Sequence, residues 1–84
     1  MISTEAEMIA GLEAEILRFD SQHWDCGMAR SPFEAGEWLI AFEELYWATL
    51  SPDHQAAISD KMTQLKDYFE RHGVDFSEIE RANS

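Results

Sequence analysis

Basic residues are scarce in this chain. Six Lys and Arg stand against seventeen Asp and Glu in 84 residues, for a formal net charge of −11. Nucleic-acid phosphates and anionic headgroups are held by Lys and Arg, so the shortage argues against direct contact with nucleic acid or membrane. Cysteine is scarcer: Cys26 is the only one, which leaves no disulfide within these residues and fits a reducing, cytoplasmic setting. No apolar run approaches the roughly 18 residues that read as a membrane span. No basic start followed by an apolar run marks a secretory signal. Val and Ile total seven, scattered singly, and no segment alternates polar and apolar for long, so strands are not expected. A glycine-rich phosphate loop, a nucleophile elbow and a His-Glu-x-x-His pair are all missing.

What the chain has in quantity is aromatic and apolar mass. It is 45% hydrophobic and 12% aromatic, with three Trp, five Phe and two Tyr. An acidic chain poor in such residues would stay unfolded; this one has the material for a core, although its net charge opposes compaction. Residues 1–84 are expected to form one domain. The periodicity predicts an all-α fold, a small helical bundle of three long helices plus a short C-terminal helix.

The first helix is expected from about Thr4 to Phe19. Thr4 and Glu7 match the capping box, and Ile9, Leu12, Ile16 and Phe19 recur on one stripe. Ser31, Pro32 and Glu34 carry the start signal of a second helix running to about Leu50. Its main apolar face is Ala35, Leu39, Phe42 and Tyr46, widened by Trp38 and Leu45, with Thr49 one turn on. Ser51 and Pro52 repeat the punctuation, so a third helix is expected from about Pro52 to His72 with the stripe Ile58, Met62, Leu65 and Phe69. Gly73 is placed to stop it, with Val74 as the hydrophobic residue that follows. Asp75 and Glu78 would cap a last short helix carrying Phe76 and Ile79. Asp20 to Ser31 lacks periodicity and is long for a helix–helix connection.

Catalytic and metal-binding readings find little support. Asp20, His23, Asp25 and Cys26 lie close together, and Cys with His or Asp with His could act as nucleophile and base or as ligands. Their spacing fits no metal pattern, and an ordinary polar loop accounts for them. His72 suits the C-terminal end of a helix dipole, and His54 reads as a surface residue. General acid–base chemistry also needs a pocket that shifts a pKa. No enzyme activity, metal or cofactor is expected.

Two surface patterns point to a protein partner. Asp53, Asp60 and Asp67 are seven residues apart and would project about 180° from the third helix's core stripe, forming an acidic ridge. Phe33, Ile40 and Trp47 share the same spacing on the second helix, about 100° from Leu39, flanked by Glu37, Glu43 and Glu44. A central helix packed on two sides would explain the second pattern. The functional reading is an aromatic patch in an acidic rim, with Trp47 as main anchor and Trp24 as a second, facing a basic protein.

The run Gly36-Glu37-Trp38, then Ala41-Phe42-Glu43-Glu44-Leu45, then the close at His72-Gly73-Val74, resembles small acidic helical bacterial immunity proteins, which are encoded beside polymorphic or contact-dependent toxins. The resemblance covers about half the chain. It implies a cytoplasmic protein that binds one cognate toxin, often a basic nuclease, and blocks its active site or substrate groove. The expected function is an acidic inhibitor of a basic, nucleic-acid-processing partner: a toxin nuclease, or a CRISPR or restriction component for which carboxylates mimic DNA phosphates. The alternative is an intracellular adaptor or regulatory subunit that oligomerises through Phe33, Ile40 and Trp47. Both a monomer and a homodimer fit the sequence.

Overall fold

The computed structural model describes residues 1–24, 27–50 and 58–82, and every regular element among them is helical. In chain order these are α1 (Glu5–Ser21), α2 (Gly27–Glu34), α3 (Trp38–Leu50), α4 (Asp60–Arg71) and α5 (Ser77–Ala82). The all-α expectation holds. Three long helices, α1, α3 and α4, and a short last one, α5, are present, but the expected second helix is divided into α2 and α3, and α4 is shorter than its apolar pattern implied. Among the described residues no helix is long and apolar enough to cross a membrane.

α1 begins as its residues dictate. Thr4 has extended backbone and its hydroxyl accepts the Glu7 amide at 3.2 Å. The Glu7 carboxylate does not reach the Thr4 amide; it accepts the Thr4 hydroxyl hydrogen at 3.0 Å. Leu12, Ile16 and Phe19 are buried as expected, joined by Met8, while Ile9 is half-buried.

Three helices end by the same device. In each, a residue with positive φ turns the chain back, and two amides close onto carbonyls of the last turn, the pattern of a Schellman motif. After α4, Gly73 (φ +89°) donates to Glu70 and Val74 donates to Phe69. After α2, Gly36 (φ +80°) donates to Phe33 and Glu37 donates to Pro32. After α1, His23 (φ 61°) donates to Asp20 and Trp24 donates to Phe19. Glycine adopts this conformation without steric cost, whereas histidine does not.

The Gly36 turn overturns the second helix as read from sequence. Ser31 and Pro32 lie inside α2 and start nothing. Proline lacks an amide and forfeits one helical bond, but α2 runs only two residues past it, so little is lost. The chain then reverses through Ala35–Gly36, and the Glu37 carbonyl accepts the Ala41 amide to open α3 at 3.1 Å. Ala35 sits exposed in the turn. The core face of α3 is Ala41, Phe42, Leu45 and Thr49, with Leu39, Trp38 and Tyr46 half-buried beside it. Thr49 is tolerated in the core because its hydroxyl donates to the Tyr46 carbonyl at 2.7 Å.

The third helix of the sequence reading is also corrected. It starts at Asp60 rather than near Pro52, and Ser59 caps it: the Ser59 backbone is extended and its hydroxyl accepts the Met62 amide at 3.1 Å. Ile58 therefore precedes α4 and is 53% exposed, outside the buried stripe of Met62, Leu65, Tyr68 and Phe69. Residues 51–57, and with them Asp53 and His54, lie outside the described residues, as do Asp25 and Cys26.

The core converges on Phe42. Its ring lies 5.3 Å from Phe69 of α4, 5.4 Å from Phe76 ahead of α5 and 5.7 Å from Tyr46. α5 buries no residue of its own; it is held by Phe76, which is 1% exposed, and by a hydrogen bond from the Tyr46 hydroxyl to Glu80 at 2.8 Å. At the opposite end of α4, the buried Glu15 carboxylate accepts the Ser59 hydroxyl and pairs with Arg18 at 2.5 Å. One side chain of α1 thus orients the cap of α4.

Candidate functional site

The residues of the outward face of α3 follow from its register. At about 100° per residue, Ile40, Glu43, Glu44 and Trp47 fall on one stripe, roughly opposite Ala41, Phe42, Leu45 and Thr49. Ile40 is 46% exposed and Trp47 49%; Glu44 is exposed and Glu43 half-buried between them. The stripe is about 10 Å long, with an apolar residue at each end and two carboxylates in the middle.

Phe33 is not part of it. Gly36 breaks the register, so the expected Phe33–Ile40–Trp47 row spans two helices and its spacing no longer places the three residues on one helical face. Phe33 is half-buried and packs edge-on against Trp38 with centroids 5.3 Å apart. Trp24 is likewise no free anchor: it packs edge-on against Phe19 at 5.4 Å, and the Arg18 guanidinium lies 5.3 Å from its ring centroid. That contact is the hydrophobic clasp of the α1 terminus. Glu37 is exposed in the α2–α3 turn.

Of the expected acidic ridge, α4 (Asp60–Arg71) carries Asp60 and Asp67, while Asp53 lies outside the described residues. Asp60 occupies the first turn of α4, where the positive end of the helix dipole favours a carboxylate. Asp67 pairs with Arg71 at 2.8 Å. Both have structural duties, which weakens their claim as partner contacts.

The distribution of the bases decides where negative charge is left over. Arg18 serves Glu15, Arg30 serves Asp20, Arg71 serves Asp67, and Lys66 sits 3.6 Å from Glu70 and 3.4 Å from Glu80. Among the described residues, no ion pair involves Glu34, Glu37, Glu43 or Glu44, and α3 carries no Lys or Arg. Uncompensated acids and exposed apolar side chains therefore coincide on α3. Residue types alone did not disclose this, since it depends on which acids the few bases reach.

The perturbed titrations lie elsewhere, around α5. Burial, then the hydrogen bond to Glu80, raises the Tyr46 hydroxyl above its ordinary value. That same hydrogen bond, aided by Lys66, holds the Glu80 carboxyl below the usual range. Burial would lower Lys66, but the charges of Tyr46, Glu70 and Glu80 outweigh it and the net shift is upward. The Ser77 amide, 2.9 Å from Asp75 Oδ1, lowers the Asp75 carboxyl. This cluster fastens α5 to α3 and α4.

Of Asp20, His23, Asp25 and Cys26, the first two lie among the described residues. Asp20 pairs with Arg30, and exposed His23 occupies the turning position after α1. His72 follows α4 as its cap, with Nδ1 2.8 Å from the Tyr68 carbonyl and its ring 4.2 Å from that of Tyr68. Among the described residues no three His, Cys, Asp or Glu side chains gather as a metal site. Compared with protein-family models, curated proteins and solved structures, the chain matches none.

Proposed function

We propose that this protein is an acidic inhibitory module that binds a basic, nucleic-acid-processing protein through the outward face of α3. One observation carries the reading: Ile40 and Trp47 flank Glu43 and Glu44 on a helix without a base, while the acids of α4 are occupied. Aromatic and aliphatic anchors supply affinity once desolvated. Carboxylates between them steer a cationic groove into register and reject anionic surfaces. Occupying a groove built for phosphates would exclude nucleic acid by competition. An immunity protein facing a toxin nuclease and a phage protein facing a CRISPR or restriction component are two biological forms of this chemistry. A toxin gene or phage genes beside the coding sequence would tell them apart.

Self-association through the same face is the weaker alternative. A two-fold dimer sets the same patch against itself, which would bring Glu43 and Glu44 of both copies together with no Lys or Arg from α3. A monomer of constant mass in light scattering across a hundredfold concentration range is expected.

The decisive measurement uses immobilised protein to capture a partner from host lysate at low salt. The partner should be basic, its association should slow as salt is added, and Glu43→Lys/Glu44→Lys should fail to capture it while keeping the parent's circular dichroism. Equal affinity at low and high salt, or capture by the charge-reversed variant, overturns the proposal.

A further inference from the structure

The four-residue face of α3 is small beside a standard interface, which covers roughly 800 Å² per partner, so a tight complex needs a second anchor point. We propose, resting on the reading above, that the groove between α1 and α2 receives an arginine side chain from a basic segment of the partner.

The groove has a volume of about 430 Å³, within the range of pockets that hold small ligands, roughly 300–1,000 Å³. Glu13, Ile16 and Leu17 line it from α1, and Arg30, Phe33 and Glu34 line it from α2. The two triplets share one spacing, i, i+3, i+4, so each helix offers a single face to the groove. Leu17 is 56% exposed and so presents apolar surface to the groove.

The chemistry selects the occupant. Leu17 and Phe33 provide apolar surface, and each helix adds one exposed carboxylate. Arg30 also lines the groove and is paired with Asp20, and even counted in full it leaves the lining net negative against Glu13 and Glu34. Among the described residues Glu13 and Glu34 enter no ion pair. A purely apolar guest would desolvate two carboxylates without a partner, which costs more than the apolar contact returns. An anion would be repelled. Arginine fits both parts: its methylene stem lies along Leu17, and its planar guanidinium stacks on an aromatic face while donating to carboxylates on either side. Lysine offers a point charge with no stacking plane.

The test titrates isotopically labelled full-length protein with capped hexaarginine, hexalysine and hexacitrulline peptides, followed by NMR. Hexaarginine should shift the Ile16 and Leu17 methyls and the Phe33 ring, with hexalysine weaker and hexacitrulline silent. Glu13→Gln/Glu34→Gln should weaken those shifts about tenfold, the scale of two exposed ion pairs lost while glutamine keeps an acceptor. Leu17→Ser, at an exposed position, should weaken them without unfolding the chain. Glu43→Gln/Glu44→Gln should leave them in place. If hexaarginine perturbs only Ile40, Trp47 and their neighbours, or if the groove shifts survive Glu13→Gln/Glu34→Gln, the groove proposal falls while the α3 reading stands. If hexaarginine perturbs neither surface, both fall.

Discussion

Helices α3 and α4 lie in the same core and are made of opposite materials. α4 alternates signs: Lys66 reaches Glu70 and Glu80, Arg71 reaches Asp67, and Asp60 meets the dipole at its start. α3 has no base, and its two acids stand between exposed apolar residues. The chain's excess charge is therefore not one uniform field. On α4 the carboxylates stabilise the fold; on α3 they serve no internal partner and are free to serve an external one. Counting acids, or noting that they recur every seven residues, does not separate these roles.

That contrast can be broken at its shared foundation first. Phe42→Ala removes the ring on which α3, α4 and Phe76 converge, and should cost about 3–5 kcal/mol. Denaturant unfolding measures it, and a loss under about 1 kcal/mol would mean that the aromatic cluster is not the core.

Next comes the link between α1 and α4. Glu15→Ala strips Arg18 and the Ser59 hydroxyl of their acceptor and should cost about 2 kcal/mol. Glu15→Gln, which keeps an acceptor for Ser59, should cost less; equal losses in the two variants would show that charge alone matters there.

The functional half of the contrast is sharpened by a matched pair. Glu43→Lys/Glu44→Lys should slow association with the basic partner tenfold or more, the scale of rim-charge reversal. Asp67→Asn should leave association unchanged and cost only about 0.5 kcal/mol, the worth of an exposed helical ion pair. Equal binding losses from both would erase the distinction between the helices.

A smaller effect of opposite sign is expected at the end of α1. His23→Gly places a residue suited to positive φ where histidine is strained. It should stabilise the protein by a few tenths to about 1 kcal/mol, because relief of strain outweighs the extra freedom glycine gains when unfolded. A lower melting temperature in that variant would show that the histidine side chain contributes something the backbone conformation does not reveal.

The smallest effect concerns α5 and pH. Glu80 and Asp75 have folded-state carboxyls below their ordinary values. Their contribution is present above the unfolded carboxylate range, near pH 4, and fades as pH falls through the lower folded values. Tyr46 is raised, so its contribution is present below its ordinary value and fades as pH climbs through the higher folded one. Tyr46→Phe should reduce the Glu80 part of the acid-side loss, leaving what Lys66 supplies, and abolish the alkaline loss. NMR of the Ile79 methyl across pH 3–11 reports the docking of α5, and an unchanged profile in Tyr46→Phe would dismiss the link.

Much of the helix grammar was legible. Thr4 capped α1 and Gly73 stopped α4 because both acts are completed by hydrogen bonds within a few residues. The buried stripe of α1 followed from its period. The misreadings arose where two local signals competed. Ser31–Pro32–Glu34 spells a helix start and Ala35–Gly36 spells a stop, and each is worth only about 1 kcal/mol. The stop prevailed where Trp38 folds back on Phe33 and α2 packs against α3. Ser59 caps α4 in a structure where Glu15 of α1 accepts its hydroxyl, a contact between helices that no local pattern spells. The candidate site was half legible: Ile40, Glu43, Glu44 and Trp47 stood out, whereas Phe33, Trp24 and Asp67 were assigned outward roles that packing and pairing had already claimed.

By itself, the order of residues determined an all-helical chain with a large negative surplus, because helix periodicity and net charge are local or additive properties. Which carboxylates that surplus leaves unpaired was decided only by tertiary structure. Six bases must choose among seventeen acids, and the choice depends on distances of a few ångströms across helices, set by where Gly36 and Ser59 divide the chain and how the pieces pack.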